Sequence, residues 1–204
     1  MAPRVRRTQA ERTAETRRAL LNATYDSLIE GGYRATTTTE VAHRAGVSLG
    51  ALLHHFPTKA DLLSAAARHV FERRQEEFRQ AMAELDPGAD KLEASVDLLW
   101  QALSGPAFTV SVELVVAART DPDLAASFVE VDRRFMESCK EMYAGLFPPE
   151  EGYPQAGMHV VWALLDGLAL SRTIDGYQWH PVEEVLDTFK AVLPLIVEST
   201  RRDV

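Results

Sequence analysis

The sequence has little cysteine and no long hydrophobic run, and each absence excludes a class of protein. The single cysteine, Cys139, cannot form an internal disulfide, which excludes a disulfide-stapled secreted fold and favours a reducing cytoplasm. The longest apolar runs, such as residues 160–165, are too short to span a bilayer. The basic first residues are not followed by an apolar segment, so we expect no signal peptide. These absences predict a soluble cytoplasmic protein without a membrane partner.

The patterns typical of enzymes are also missing. The chain has no paired carboxylates, nucleophile elbow, phosphate-binding loop or metal-ligand spacing. His54 and His55 are adjacent and would point in different directions on a helix, so they do not predict a metal pair. We therefore expect no catalytic residue, no metal and no cofactor.

The net charge of −8 is distributed unevenly along the chain. Residues 1–60 hold nine Lys/Arg and five Asp/Glu, a net charge of +4, whereas residues 61–204 hold 13 and 25, a net charge of −12. A basic head on an acidic body would attract a polyanion at one end only. A solvated N-terminal tail would give the same distribution, so charge alone does not identify a nucleic-acid partner.

What the sequence does contain is helical periodicity almost throughout. Apolar side chains recur at steps of three and four, most clearly in residues 124–146. Thr58 and Asp121 stand where helix N-caps are needed, and residues 31–32, both glycine, predict the end of the first helix. An alternating strand pattern of useful length is absent. The chain is therefore predicted to be all-α, with a long helix that begins at Lys59.

Residues 36–63 predict two short helices joined by a sharp turn. Thr37 is placed to cap the first helix, Gly46 to form the turn, and Ser48 to cap the second helix. A helix-turn-helix needs this arrangement, because the N-terminal side chains of its second helix must enter a major groove. The side chains expected to face inward are Val41, Ala42, Ala45, Val47, Leu52 and Phe56.

This segment resembles the helix-turn-helix of the TetR family of transcriptional regulators. Leu53 departs from the family pattern, which usually has a Tyr whose hydroxyl reaches a phosphate, and Thr38 replaces a usual aliphatic residue. The matching residues are Thr36-Thr37, Val41-Ala42, Ala45-Gly46-Val47-Ser48, Gly50, His55-Phe56 and Lys59.

The resemblance implies a two-domain architecture. An N-terminal arm and a three-helix DNA-binding domain would occupy residues 1–58. A helical ligand-binding and dimerisation domain would occupy residues 59–204, joined to the first through the long helix that starts near residue 59.

By position in the motif, the resemblance also implies which residues bind double-stranded operator DNA. Because the expected base readers are small and mostly apolar, thymine methyl groups would contribute more than bidentate hydrogen bonds. Arg4, Arg6, Arg7 and Arg12 could form an arm that reaches phosphate or the minor groove, or a merely solubilising tail. The expected backbone contacts are Thr37, Ser48, His54 and Lys59; the base readers are Leu49, Gly50 and Ala51; and Arg44 could reach either.

The resemblance further implies a ligand pocket and a homodimer in the second domain. Ordinary core packing and structural ion pairs (Glu113 with Arg119, Asp166 with Arg172) are the alternatives for the pocket candidates. The candidates are Trp100, Phe108, Glu113, Phe135, Cys139, Met142, His159, Trp162 and Asp166, and their aromatic and sulfur content favours a largely apolar small-molecule effector.

The apolar helices of residues 154–200 would leave a surface for a second copy to cover. The predicted dimer interface comprises Val161, Leu165, Leu168, Phe189 and Leu193. Burial of both helices inside the monomer is the alternative.

The resulting hypothesis is a ligand-responsive DNA-binding transcriptional regulator, a repressor that a small, largely apolar effector releases from its operator. The alternative is a helical dimerisation or small-molecule-binding module with weakened or lost DNA binding, which only Leu53 favours.

Overall fold

The computed structural model of the protein describes residues 8–148, 153–154, 156–173 and 180–201. Over these residues the chain forms nine α-helices and no strand, which confirms the all-α prediction. The helices are α1 (Gln9–Ala35), α2 (Thr38–Arg44), α3 (Leu49–His55), α4 (Lys59–Ala83), α5 (Lys91–Leu103), α6 (Pro106–Ala118), α7 (Pro122–Leu146), α8 (Gly157–Leu170) and α9 (Val182–Arg201).

The helices group into two compact units. The first comprises Met1–Phe71 and Thr109–Asp132, and the second comprises Glu72–Phe108 and Arg133–Val204. Helices α4, α6 and α7 therefore contribute residues to both units. The functional boundary between residues 58 and 59 stays a prediction.

Side-chain caps begin the short helices where the sequence places them. The Thr37 hydroxyl and the Ser48 hydroxyl each accept a hydrogen bond of 3.2 Å from the backbone N–H three residues on. Thr58 and Asp61 form a reciprocal cap at the start of α4, with Asp61 N–H donating to Thr58 Oγ1 at 3.0 Å and Thr58 N–H donating to Asp61 Oδ2 at 3.2 Å. Each cap supplies an acceptor to an N–H group that has no partner within the helix.

The predicted break in the first helix occurs at Gly32. Its φ of 68° and ψ of −176° are not helical, yet the helix resumes and continues to Ala35. A side chain here would be strained by the positive φ, and its Cβ would also lie 3.0 Å from Glu113 Oε2. Glycine thus lets the chain bend and lets a carboxylate approach the backbone.

The helix-turn-helix is held by its own hydrophobic core within the first unit. Gly46, with φ of 68°, forms the turn between α2 and α3. Ala45 and Val47 are partly buried against this core, as the sequence predicts. The fully packed members come from α1 to α4 and are Leu20, Leu21, Ala23, Val41, Ala42, Leu52, Phe56, Leu62 and Ala66.

The second unit packs α5 against α8. Buried side chains along these helices include Val96 and Leu103 on α5, and Met158 and Leu165 on α8. No single described helix is long and apolar enough to cross a membrane; α5 and α6 meet that test only together, as a pair bent by 65°.

The two neighbouring leucines of α3 give a matched test of the helix-turn-helix core. Leu52 is 0% exposed and Leu53 is 43% exposed. We expect Leu52→Ala to lower the free energy of unfolding of the first unit by about 2–5 kcal/mol, because it opens a cavity in the core. Leu53→Ala should change it by less than about 0.5 kcal/mol. Denaturant titration followed by circular dichroism measures both, and equal losses would contradict this account of the core.

Candidate nucleic-acid interface and ligand cavity

The start of α3 is an exposed surface of small and apolar groups. Leu49 is 41% exposed, Gly50 is exposed and Ala51 is half-buried. On the other side of the helix, Leu52 and Phe56 are buried in the core. The geometry thus places the three predicted base readers on the accessible side of a short, anchored helix, as entry into a major groove requires.

The predicted backbone contacts Thr37 and Ser48 retain hydrogen-bonding capacity while they cap their helices. Each hydroxyl oxygen accepts from a backbone N–H, so its own O–H remains available as a donor. Both residues are exposed, and so is His54. Two hydroxyl donors at two helix N-termini are well suited to phosphate oxygens, because helix N-termini attract anions.

Lys59 does not project freely from the start of α4. Its Nζ donates to the backbone carbonyl of Tyr33 at 2.9 Å and lies 4.0 Å from the centre of the Tyr33 ring. Burial lowers the pKa of Lys59, and the nearby charge of Asp121 partly opposes that effect. Two of the three ammonium hydrogens remain for other acceptors. A phosphate contact by Lys59 stays a prediction.

Tyr33 is the centre of a polar cluster that the sequence does not reveal. Its N–H donates to Glu113 Oε2 at 2.8 Å, and its hydroxyl donates to Asp121 Oδ2 at 2.5 Å. The hydrogen bond to Asp121 is the main cause that raises the pKa of Tyr33 to about 12, and the same bond lowers the pKa of Asp121. We refer to Tyr33, Lys59, Glu113 and Asp121 as the Tyr33 cluster.

Arg44 is paired within the first unit. Its Nη1 donates to Glu30 Oε1 at 2.9 Å and its Nη2 donates to Glu30 Oε2 at 2.7 Å, while Nε lies 3.9 Å from Glu40 Oε1. The hydrogen bond to Glu30 is the main cause that raises the pKa of Arg44 and lowers that of Glu30. A base or phosphate contact by Arg44 stays a prediction. Such a contact would have to compete with this exposed bidentate ion pair.

Of the four arginines predicted to form an N-terminal arm, the structure describes one. Arg4, Arg6 and Arg7 lie outside the described residues. Arg12 lies in α1, which begins at Gln9, and is therefore part of a helix and not of an extended arm.

The second unit contains an apolar cavity of about 270 Å³. It unites three of the predicted pocket residues: Cys139, Met142 and Trp162. Sequence reasoning missed the other lining residues, because an apolar position on a helical stripe looks the same whether it faces a cavity or the core. These are Phe78, Leu92, Ser95, Leu99, Tyr143, Leu146, Phe147, Pro154, Ala156, Gly157, Met158, Val160, Val161, Leu193, Ile196 and Val197.

The other six pocket candidates do not line this cavity. Glu113 belongs to the first unit, where its carboxylate accepts the N–H of Tyr33. Phe135 packs edge-to-face against Trp162, with ring centres 5.7 Å apart. Trp100 lies 5.8 Å from the Arg172 guanidinium carbon. Phe108 is buried, His159 exposed and Asp166 half-buried, all outside the lining.

The residues predicted for a dimer interface face inward. Leu165 is 0% exposed, and the other four are also buried within the second unit. The helical phase decides this outcome, because the accessible positions of α8 and α9 lie on the flanks and the far side of the buried face. The exposed large apolar side chains there are Val160, Leu170, Val192, Leu195 and Ile196.

Sequence comparisons identify similar families and relatives. Residues 20–74 match the family profile described as bacterial regulatory proteins, tetR family, and residues 88–195 match the tetracyclin repressor-like C-terminal domain. An HTH-type transcriptional regulator of Mycobacterium tuberculosis is 35% identical over 172 residues, which cover 82% of this chain and 88% of that protein. The HTH-type transcriptional regulator CymR of Pseudomonas putida is 36% identical over 146 residues, covering 72% of this chain and 71% of CymR.

Comparison with solved structures finds regulators and a drug-binding protein of similar fold. A transcriptional regulator from Rhodococcus sp. Rha1 has a TM-score of 0.66 at 27% identity and covers 90% of this chain and 96% of its own. The multidrug binding protein EbrR, complexed with imidazole, has a TM-score of 0.60 at 25% identity and covers 84% and 93%. A regulator from Saccharomonospora viridis in complex with choline shares the fold, with a TM-score of 0.65 at 18% identity and coverage of 86% and 95%.

The bond between Tyr33 and Asp121 predicts a pH window of stability. It needs a protonated phenol and an ionised carboxylate, whose ordinary pKa values are 10.0 and 3.8. Because the bond raises the first pKa and lowers the second, its contribution is full between these values and is lost towards lower and higher pH. We expect wild type to be more stable than Tyr33→Phe across this window, and the difference to shrink below pH 3.8 and between pH 10.0 and about 12.

Urea titrations of both proteins from acid to alkaline pH measure this difference. Asp121→Asn is the matched control, because its side-chain oxygen can still cap α7 while the charge is gone. Because Asn does not ionise, the contribution of this hydrogen bond to stability should no longer fall as the pH drops below 3.8. A wild-type advantage over Tyr33→Phe that is constant at every pH would show that the hydroxyl contributes through packing instead.

Proposed function

Because the chain belongs to the TetR family of bacterial transcriptional regulators, we propose that it represses transcription by binding operator DNA as a homodimer and leaves the DNA when a small molecule binds. The family consists of regulators and not of enzymes. Access to chromosomal DNA places the proposed activity in the cytoplasm. The single observation that carries the proposal is the exposed start of α3 on its buried leucine anchor, with a capping hydroxyl at the start of α2 and another at the start of α3.

In the proposed complex, contacts divide between phosphate and base. Thr37, Ser48, His54 and Lys59 would hold the backbone, and such contacts set register without reading sequence. Leu49, Gly50 and Ala51 would approach base edges, where apolar groups favour the thymine methyl. Since the Arg44 guanidinium is bound to Glu30, we expect it to contribute less than a free arginine would.

A homodimer would use the exposed side of α8 and α9. These two helices expose several large apolar side chains, and a large exposed apolar patch is typical of an association site. Two-fold symmetry would then present two copies of α3 about one DNA turn apart, roughly 34–36 Å.

Release by a small molecule would use the apolar cavity. EbrR, a structural relative, is described as a multidrug binding protein, which supports a ligand site in this class of helical domain. Helices α4, α6 and α7 contribute to both units, so a ligand that shifts one of them could change the spacing of the DNA-binding heads. A preference of about 1–3 kcal/mol for the non-binding state would suffice, as in typical allosteric coupling.

The alternative function is a dimeric or small-molecule-binding module that no longer binds DNA. Leu53, which cannot donate a hydrogen bond to phosphate, is the observation in its favour. The capped and exposed recognition helix favours the repressor, since both capping hydroxyls keep a donor for phosphate.

Operator titrations at several salt concentrations test the division of contacts. DNA upstream of the chain's own gene is the probe. Lys59→Ala should weaken binding to all operator variants alike and lower the slope of log K against log salt by about one unit, because one phosphate contact is lost. Lys59→Met keeps a long apolar side chain against Tyr33 and should give the same slope, which separates charge from packing.

Ala51→Arg should instead change the preference among operator variants, because it adds a large donor beside the base edges. Lack of any salt-dependent binding by wild type would favour the module without DNA binding. A changed preference in Lys59→Ala with an unchanged slope would contradict the assignment of Lys59 to phosphate.

Two leucines separate dimer contacts from the core of the second unit. Leu195 is 62% exposed and Leu165 is 0% exposed. We expect Leu195→Arg to yield folded monomers in sedimentation, because it places an unpaired charge in the proposed interface. Leu165→Arg should unfold the second unit. A wild-type protein that sediments as a monomer at micromolar concentration while it binds operator would contradict the homodimer.

A further inference from the structure

We propose that the cavity of the second unit selects uncharged apolar molecules and rejects cations and anions of the same shape. The inference rests on the proposed function and deepens it, because it adds that the effector carries no charge. It concerns binding to the cavity itself and can therefore be tested without DNA.

The lining has no formal charge. Among the described residues that line the cavity there is no Asp, Glu, Lys, Arg or His. A cation that enters would lose its water without gaining a carboxylate, and an anion would gain no ammonium or guanidinium group. Burial of an unpaired charge is strongly unfavourable, whereas burial of an apolar molecule is driven by the hydrophobic effect.

The hydroxyl hydrogens of the lining are already committed to the protein. Ser95 Oγ donates to Leu92 O at 2.8 Å, and Tyr143 Oη donates to Pro154 O at 3.1 Å. Each hydroxyl has one hydrogen, so neither remains a donor for a carboxylate. These two groups therefore cannot replace the hydration shell of an anion.

An aromatic cage for a quaternary ammonium is the strongest competing interpretation, because ring faces attract cations. Three of the four aromatic rings that line the cavity pack against other rings. Phe147 lies between Tyr143 and Tyr153, with ring centres 5.3 Å and 5.0 Å away, and the Trp162 ring packs against Phe135. Rings engaged in this way have less face left for a cation than a cage would provide. The arrangement favours apolar contact.

The size of the cavity sets the size of the ligand. An engineered apolar cavity of about 150 Å³ binds benzene. A cavity of about 270 Å³ accommodates a larger molecule, such as a benzene ring with a branched alkyl substituent. Met142 and Met158 on the lining can adjust their rotamers to an irregular shape.

Three molecules of nearly equal shape test the proposal on the full chain. They are tert-butylbenzene, phenyltrimethylammonium and 2-methyl-2-phenylpropanoate. The second compound has a charged nitrogen in place of the quaternary carbon, and the third has a carboxylate in place of one methyl group. Calorimetry up to the solubility limit of each compound measures binding. We expect the neutral compound to bind at least about tenfold more tightly than either ion, because only the ions lose hydration without a partner.

Equal or tighter binding of the ammonium compound would overturn the proposal in favour of an aromatic cage. Equal or tighter binding of the carboxylate would overturn it in favour of an anion site. Binding of none of the three would also contradict it, since the cavity would then not accept an apolar molecule of this size.

A variant that fills the cavity tests whether the neutral compound binds there. Leu99→Trp places a larger side chain at the lining and should abolish binding of tert-butylbenzene. Val129→Trp, on an exposed position of α7 in the first unit, is the matched control and should leave binding unchanged. If Leu99→Trp does not fold, the comparison of the three compounds on wild type still decides the question. Unchanged binding in a folded Leu99→Trp protein would place the neutral ligand elsewhere and contradict the proposal.

The test of the charge selectivity of the cavity can succeed or fail independently of the proposed function. Selective binding of the neutral compound without release from operator DNA would support the selectivity of the cavity and count against ligand-controlled repression. Release from DNA by one of the ions, acting through the cavity, would support ligand control and overturn the selectivity.

Discussion

The first unit depends on how the backbone break at Gly32 is satisfied. The break removes the regular helical partners of the groups beside it, and an unpaired buried N–H or C=O would be costly. Glu113 accepts the N–H of Tyr33, and Lys59 donates to its carbonyl. The hydroxyl of the same residue binds Asp121, at the start of α7. One residue thereby ties the end of α1 to α4, to α6 and to the turn before α7.

Contacts within the first unit restrain the basic side chains that are expected at the recognition surface. Lys59 is held by Tyr33, and Arg44 is held by Glu30, so two of the expected cations are already in contact with acceptors of the protein. The groups left most accessible are the two capping hydroxyls and the small side chains at the start of α3. In the proposed complex, shape and apolar contact at the base edges would therefore matter more than charge, since each phosphate contact mainly adds salt-dependent affinity.

The second unit combines two uses of apolar surface on the same helices. One side of α8 and α9 is buried and forms the core, and the other faces of these helices expose Val160, Leu195 and their neighbours. Val160 and Ile196 are exposed and also line the cavity. In the proposed homodimer, the second copy that buries the exposed side would thus lie beside residues that contact the ligand. A dimer surface and a ligand site that share residues provide a direct physical route for coupling.

The helices, their caps and the helix-turn-helix follow from local features of the sequence. Thr37, Ser48 and Thr58 act on N–H groups three residues away, Gly46 acts on its own backbone, and apolar periodicity is legible within one helix. The partner of Lys59 and Glu113 depends on contacts between distant segments, because Tyr33 lies 26 residues from the first and 80 from the second. Such contacts also decide that Leu165 is core and Leu195 is surface, and that Met142 lines the cavity while Phe135 does not. The physical reason is that periodicity identifies an apolar face, whereas packing against distant helices determines whether that face meets the core, a cavity or water.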